Sequence, residues 1–106
     1  MAEKRSAPRS RRRLLVDFET SAAKTTGFTQ DLSRTGLFVR TIRIPGIGTS
    51  LRAVLHLPAG GHIPIEGTVV RSYRAPAALR SVVPTGFGLR IERGRSPEYD
   101  EISRTA

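Results

Sequence analysis

The first residues able to do chemistry are the arginines that precede the first apolar segment. The stretch Arg9-Ser-Arg-Arg-Arg13 places the guanidinium groups of Arg9 and Arg13 four positions apart. Residues with this spacing lie on one side of a helix or of an extended chain. Each guanidinium can stack on a flat ring and form a forked contact with phosphate, so the pair could clamp one planar, phosphorylated ligand. A basic run of this kind is also typical of a solvated tail.

A second candidate is the acidic turn Asp31-Leu-Ser-Arg-Thr-Gly36. The carboxylate of Asp31 can accept two hydrogen bonds from the N1 and N2 donors of a guanine. Ser33 can donate or accept beside it, and Gly36 permits the positive φ that such a turn often needs. The alternative is an Asx-type turn in which Asp31 and Ser33 bond their own backbone.

Catalysis and metal binding find little support in the sequence. There is no cysteine, which excludes thiolate ligands and a cysteine nucleophile. His56 and His62 have no carboxylate at a recognisable spacing, and such histidines are usually structural or at the surface. No His-Glu-x-x-His, Gly-x-Ser-x-Gly or Gly-Lys-Ser motif is present. We therefore predict a protein that is not an enzyme and has no metal site and no cofactor.

The charge of the chain favours an anionic partner. The sequence has 18 Lys and Arg against 9 Asp and Glu, a net charge of +9, and only Lys4 and Lys24 are lysines. Arginine combines ring stacking with forked hydrogen bonds, so this balance indicates a nucleotide or a nucleic acid. No apolar run approaches the ~20 residues needed to cross a bilayer. No secretory signal is recognisable either. We expect a cytoplasmic protein without a membrane span.

Short segments of alternating apolar and polar residues dominate the rest of the chain. In the first of them Leu14, Val16 and Phe18 share one side, which is the pattern of a strand with one buried face. The strands predicted in this way cover residues 14–19, 28–32, 37–41, 51–57, 63–73 and 86–92. Ser96 and Pro97 then mark the start of a short helix.

Six short strands joined by turns predict an all-β fold. We expect a six-stranded antiparallel β-barrel, because closure removes the exposed edges on which sheets aggregate. The expected organisation is a flexible arginine-rich arm at residues 1–13, the barrel at residues 14–95, and a short C-terminal helix or tail at residues 96–106. The arm has almost no apolar side chain to bury.

With these features the chain resembles the PilZ domain family. An Arg-x-x-x-Arg pair just before the first strand and an Asp-x-Ser-x-x-Gly turn after the second are the signature motifs of that family. The resemblance continues through residues 45–58, 65–71 and 86–91, which look like the family's fourth, fifth and sixth strands. It covers about residues 9–102, nearly the whole chain.

The resemblance implies a barrel that binds cyclic di-GMP and signals through contacts to an effector protein. It assigns the ligand contacts to five motif positions, Arg9, Arg13, Asp31, Ser33 and Gly36. The arginines would contact guanine edges, stack on the rings and pair with phosphate, while the acidic turn would bind a guanine. We expect the arm to become ordered on the barrel when the ligand binds, and one ligand molecule per chain.

Two alternatives remain open. The first is a small basic β-barrel that binds single-stranded nucleic acid, although such barrels usually present aromatic residues on a strand face. Here Phe18, Phe28 and Phe87 follow the inward pattern, and only Tyr73 and Tyr99 are predicted to be free, which disfavours nucleic acid. The second is a PilZ-like barrel that binds no nucleotide and only docks a protein.

Overall fold

The alternation in the sequence produces strands with one buried and one exposed face. The structure is a computed structural model that describes residues 10–79 and 85–104. These residues form β1 (Ser10–Arg11), β2 (Leu15–Glu19), β3 (Lys24–Leu32), β4 (Gly36–Arg40), β5 (Ser50–His56), β6 (His62–Tyr73), a 3₁₀ turn (Ala77–Leu79), β7 (Gly86–Arg93) and α1 (Pro97–Arg104). The predicted strands correspond to β2 through β7, so their existence and order are confirmed.

Strands β2 to β7 close into an antiparallel barrel. The pairing runs β3–β2–β5–β6–β7–β4, and β4 also pairs with β3, so that each strand of the barrel has two neighbours. The predicted fold class, a six-stranded antiparallel barrel with a short C-terminal helix, is confirmed. The two-residue strand β1 lies beside the end of β3 that β2 does not cover, and it pairs Ser10 with Leu32 and Arg11 with Asp31. Part of the basic segment assigned to the arm is therefore attached to the barrel.

A bulge in β3 decides which of its side chains face outward. β3 begins at Lys24, earlier than predicted, because its first half is held by pairing with β2 and not by apolar alternation. A register shift between Thr29 and Asp31 then inserts one extra residue opposite β4. The bulge reverses the alternation, so Thr29 and Leu32 are buried while Phe28 is 37% exposed. The prediction that Phe28 faces the core is wrong for this reason.

The core occupies the inside of the barrel and extends beneath α1. Phe18 and Phe87 meet edge to face with their ring centres 5.1 Å apart, a favourable aromatic geometry. Tyr99 of α1 is fully buried, so the prediction that it is free is wrong. The other members of the buried cluster are aliphatic: Leu14, Val16, Leu32, Leu37, Val39, Leu51, Ala53, Leu55, Ile63, Ile65, Val69 and Leu89.

The helix α1 begins where the sequence predicted. The Ser96 hydroxyl accepts a hydrogen bond from the Tyr99 N–H at 3.1 Å, which is the geometry of an N-cap, and Pro97 occupies the first helical position. Tyr99, Ile102 and Ser103 lie three and four positions apart and form the inner face of the helix. Within the described residues, no helix has the length and apolar character needed to span a membrane.

Candidate functional site

The arginine end of the predicted site is represented by Arg13, since Arg9 lies outside the described residues. Arg13 is exposed just before β2, and its guanidinium carbon lies 4.2 Å from the centre of the Phe28 ring. A cation at this distance is attracted to the negative face of an aromatic ring. The Arg13 side chain is therefore held over the outer surface of β3.

The buried residue Thr29 fixes the backbone around Arg13. Its hydroxyl accepts a hydrogen bond from the Leu14 N–H at 2.8 Å and donates one to the Arg12 carbonyl oxygen. The Thr29 N–H also donates to the Leu14 carbonyl oxygen. Because Thr29 is 1% exposed, water cannot replace these bonds. The sequence does not mark Thr29 as a site residue, since a threonine in a strand is too common to be a signal.

Asp31 lies on the outer side of β3, half-buried between neighbouring strands. Its cross-strand partners are Arg11 of β1 and Phe38 of β4. The adjacent pair, Leu32 and Leu37, is buried, so the pair formed by Asp31 and Phe38 faces outward. Strand β1 therefore brings the backbone of Ser10 and Arg11, which lie between the two arginines of the motif, directly beside Asp31 and Leu32.

Ser33 stabilises the acidic turn from within. It is 3% exposed, and its N–H donates to the Gly36 carbonyl oxygen at 2.8 Å. Its hydroxyl donates to the same oxygen at 3.3 Å and lies 3.4 Å from the Thr35 hydroxyl. For Ser33 this is the self-bonded turn that the sequence left open as an alternative. The hydroxyl predicted to meet a guanine is directed at the turn in this structure.

Gly36 is required for close packing and not for a special backbone conformation. It is not among the described glycines with positive φ, so the turn does not use the conformational freedom that glycine permits. A Cβ placed on Gly36 would lie 2.4 Å from the Leu89 carbonyl oxygen. Only glycine lets β4 approach β7 this closely, because the obstacle is backbone and cannot rotate away.

Tyr99 supports the same turn from the core. Its buried hydroxyl lies 2.7 Å from the Ser33 carbonyl oxygen and 3.2 Å from that of Gly36. The Ile91 N–H donates to the Thr35 carbonyl oxygen at 2.9 Å. Helix α1 and strand β7 thus hold the turn in place beneath the surface that carries Asp31. No local sequence pattern predicts this contact, because Tyr99 lies on the C-terminal helix, far from the turn in the sequence.

The outer surface around these residues is cationic, and we call it the cationic face. It is formed by Arg12, Arg13, Phe28, Asp31 and Arg40. A cavity of about 510 Å³ opens here, lined by the first three of these with Thr29, Gln30 and Arg40. Its volume is within the range of small-molecule sites. No ion pair in residues 10–79 and 85–104 involves Arg13 or Arg40.

The outer surface of β2, β5 and β6 is different, and we call it the ladder face. Cross-strand partners alternate in sign across five strands, in the order Lys24, Glu19, Arg52, Glu66 and Arg93. A groove of about 700 Å³ lies on this face. It is larger than the cavity of the cationic face, but its charges are balanced, so its size alone does not mark a site for an anion.

His56 on the ladder face has a carboxylate partner that the sequence spacing did not reveal. Its Nε2 lies 2.9 Å from Asp17 Oδ2, and the Thr26 hydroxyl donates to Asp17 Oδ1 at 2.8 Å. These two hydrogen bonds, that of Thr26 first, hold the pKa of Asp17 below its ordinary value. The His62 ring meets the His56 ring edge to face. All four side chains lie on the surface, where such a pair is usually structural.

The chain is similar to a known family in sequence and to solved structures in fold. The family model for the PilZ domain matches residues 3–105, nearly the whole chain. Curated protein sequences gave no match. The inhibitor of motility MotI/DgrA of Bacillus subtilis has a similar structure, with a TM-score of 0.75 and 18% identity over 96% of this chain and 48% of that one. This chain thus spans about half the length of that relative.

A second similar structure is the PilZ domain of CeSA from a cellulose-synthesizing bacterium. It matches with a TM-score of 0.57 and 18% identity, over 91% of this chain and 89% of that one. At this identity the two structures show a shared fold. The family match is independent of them, because it rests on the sequence of residues 3–105. The chain belongs to the PilZ domain family.

Proposed function

We propose that this protein is a cyclic di-GMP receptor that passes the level of this second messenger to a partner protein. PilZ domains form a family of cyclic di-GMP receptors. The observation that carries the proposal is the pairing of Arg11 with Asp31 through β1. It gives the two family motifs one common surface, on which a single ligand can contact both.

The chemistry of the cationic face suits a guanine nucleotide. Asp31 is the one carboxylate assigned to this face, and a carboxylate matches the N1 and N2 donors of guanine. Arg13, held on Phe28, can pair with phosphate or with guanine O6 and N7. Because Arg13 and Arg40 lack ion-pair partners within the described residues, an anionic ligand need not displace a carboxylate to reach them.

The remaining motif residues have supporting or complementary roles in this proposal. Arg9 supplies a second guanidinium from the arm. Ser33 and Gly36 hold the turn in the shape that presents Asp31, through the hydrogen bonds and the close packing described above. One ligand molecule occupies the site, as the sequence analysis predicts.

In this proposal, ordering of the arm passes the signal to a partner protein. Residues 1–13 carry six basic side chains, and an anion with two phosphates would relieve their mutual repulsion. A partner protein then binds the newly ordered surface. The ordered state becomes more populated because the ligand contacts favour it. The motility inhibitor MotI/DgrA, which shares this fold, supports an adaptor role of this kind.

Isothermal titration calorimetry with cyclic di-GMP tests the binding step. We expect a Kd of about micromolar, near −8 kcal/mol. Cyclic di-AMP is the matched control, because it has the same phosphates and ribose but lacks the donors that Asp31 would accept from. Equal binding of both ligands would contradict the role of Asp31. Absence of heat with cyclic di-GMP at tens of micromolar protein would favour an adaptor that binds no nucleotide.

One observation favours a second candidate, the binding of single-stranded nucleic acid. The outward Phe28, with Arg13 above it and Arg40 opposite on β4, is the kind of stacking surface that such barrels use. The salt dependence separates the two functions. A cyclic dinucleotide has two phosphates and should give a shallow slope of log K against log salt, whereas a strand that neutralises about six phosphates gives a slope several times steeper.

Amide hydrogen exchange with and without cyclic di-GMP tests the transmission step. Protection should rise from Arg9 to Arg13 and from Asp31 to Gly36, and it should change little in β5 and β6. Ordering costs roughly 1–2 kcal/mol per residue fixed, so only a short part of the arm should gain protection. Unchanged exchange in the arm at saturating ligand would show that the arm is not the switch.

A further inference from the structure

Phe28 is an aromatic ring on the outer surface with no role in the core. It is 37% exposed and belongs neither to the buried cluster nor to the half-buried apolar residues packed against that cluster. The bulge in β3 turns it outward, as described above. A ring of this size at the surface costs hydrophobic free energy unless something covers it. The group that covers it is the guanidinium of Arg13, 4.2 Å from its centre.

The surroundings of Phe28 leave Arg13 open on its other side. The cross-strand partners of Phe28 are Leu15 on β2 and Arg40 on β4. Neither is an acid, and among residues 10–79 and 85–104 no acidic residue lines the cavity beside the ring. The Arg13 side chain is therefore fixed by a neutral contact, which directs it without neutralising its charge. A carboxylate in place of the ring would direct it equally well but would compete with an anionic ligand.

We propose that Phe28 is a positioning residue of the nucleotide site, the base of a stack formed by its ring, the Arg13 guanidinium and a purine of the ligand. This inference rests on the proposed function. A guanidinium is planar and can stack on both of its faces, so Phe28 occupies one face and the ligand the other. Phe28 thereby reduces the freedom that Arg13 loses on binding, which is the general advantage of preorganisation.

The expected effect is moderate, because the contact is at the surface. Exposed cation–π pairs contribute an amount that corresponds to about a two- to fivefold change in affinity. Phe28→Leu should weaken cyclic di-GMP binding by this factor, since leucine keeps the apolar volume but has no π face. Phe28→Trp should bind at least as tightly as the wild type. Leu15→Ala is the matched control, because Leu15 is an exposed apolar neighbour at 39% exposure on the adjacent strand.

A double-mutant cycle connects the effect to Arg13. In an Arg13→Ala background, Phe28→Leu should change the affinity by less than about 1.3-fold, because the group it positions is gone. Calorimetry gives the affinities, and thermal unfolding checks that every variant is folded. The same loss for Phe28→Leu with and without Arg13, or a loss equal to that of Leu15→Ala, overturns the proposal.

A measurement without ligand separates this inference from the proposed function. The ring current of Phe28 should shift the Arg13 side-chain δ protons upfield in the NMR spectrum, and Phe28→Leu should abolish the shift. If the wild type binds no cyclic di-GMP, the proposed function fails and the positioning role fails with it. If the wild type binds and Phe28→Leu binds equally well, the positioning role alone fails. An unchanged Arg13 spectrum in Phe28→Leu refutes the contact itself.

Discussion

The cationic face and the ladder face both carry arginines and carboxylates, but the first is cationic and the second has balanced charges. On the ladder face the row of charges from Lys24 to Arg93 alternates in sign from strand to strand, so Glu19 lies between Lys24 and Arg52. On the cationic face Arg13 rests on a neutral ring, and neither it nor Arg40 has an ion pair within the described part of the chain. Strand register, and not arginine content, therefore determines where the molecule can bind an anion.

The two faces also differ in what holds them in place. The ladder face has its contacts at the surface, in the ion pair between Lys24 and Glu19 at 3.9 Å and in the contact between Asp17 and His56 at 2.9 Å. On the cationic face, Arg13 and Arg40 have no ion pair within the described residues. The backbone of this face is held from inside by the hydroxyls of Thr29 and Tyr99. Under the proposed function, the charges of the cationic face must stay available for the ligand, so they cannot also serve stability. The supporting contacts are accordingly buried beneath it.

The largest difference between the faces should be seen in binding. Arg13→Ala and Asp31→Ala should each weaken cyclic di-GMP binding by about 1–3 kcal/mol, the range for a good forked contact to a base. Arg52→Ala and Arg93→Ala remove a guanidinium from the ladder face and should bind normally. Calorimetry on the four variants provides the comparison. Equal losses in all of them would show that bulk charge, and not a site, attracts the ligand.

The second prediction compares two threonines on the same strand. Thr29→Val removes a buried hydroxyl and leaves the Leu14 N–H and the Arg12 carbonyl oxygen without it, so unfolding should be easier by about 1–3 kcal/mol. Thr26→Val, at an exposed position of the same strand, should cost less than about 1 kcal/mol. Urea unfolding measures both. Equal costs would mean that the cationic face is not supported from inside.

Charge reversal provides the third comparison. Glu66→Lys places a third cation between Arg52 and Arg93 on the ladder face, and should destabilise the barrel by about 1 kcal/mol. Arg40→Glu makes the same size of charge change on the cationic face, where it separates no ion pair, and should weaken ligand binding while leaving stability nearly unchanged. Urea unfolding and calorimetry test the two halves. A stability loss of similar size in both variants would remove the distinction between the faces.

The smallest expected effect is a pH dependence confined to the ladder face. Because hydrogen bonds from Thr26 and then His56 lower the pKa of Asp17 below 3.8, its contribution to stability is present above that value. The contribution is lost as the pH falls through the lower pKa of the folded state. Asp17→Asn should thus be less stable than the wild type at neutral pH, by less than about 1 kcal/mol, and the difference should shrink on acidification. Unfolding between about pH 6 and pH 2 measures this, and a constant difference over that range would exclude the linkage.

The sequence by itself determined the architecture and the location of the motifs. Period-two alternation predicts β2 and β4 to β7 correctly, because it is a local property of each segment. The N-cap at Ser96 is equally local and is confirmed by its bond to the Tyr99 N–H. The family resemblance rests on residues close together in the chain, Arg9 with Arg13 and Asp31 with Ser33 and Gly36, so it needs no tertiary information.

Only the tertiary structure decided how the site is held and which side chains surround it. The bulge in β3 turns Phe28 outward against the alternation, and it arises from pairing with β4. Tyr99 is buried because α1 packs over the turn, and Gly36 is required because β7 passes directly beside it. These outcomes depend on strand register and on contacts between residues far apart in the sequence. Local patterns carry no information on such contacts, because a segment's own period does not specify which strand will lie next to it.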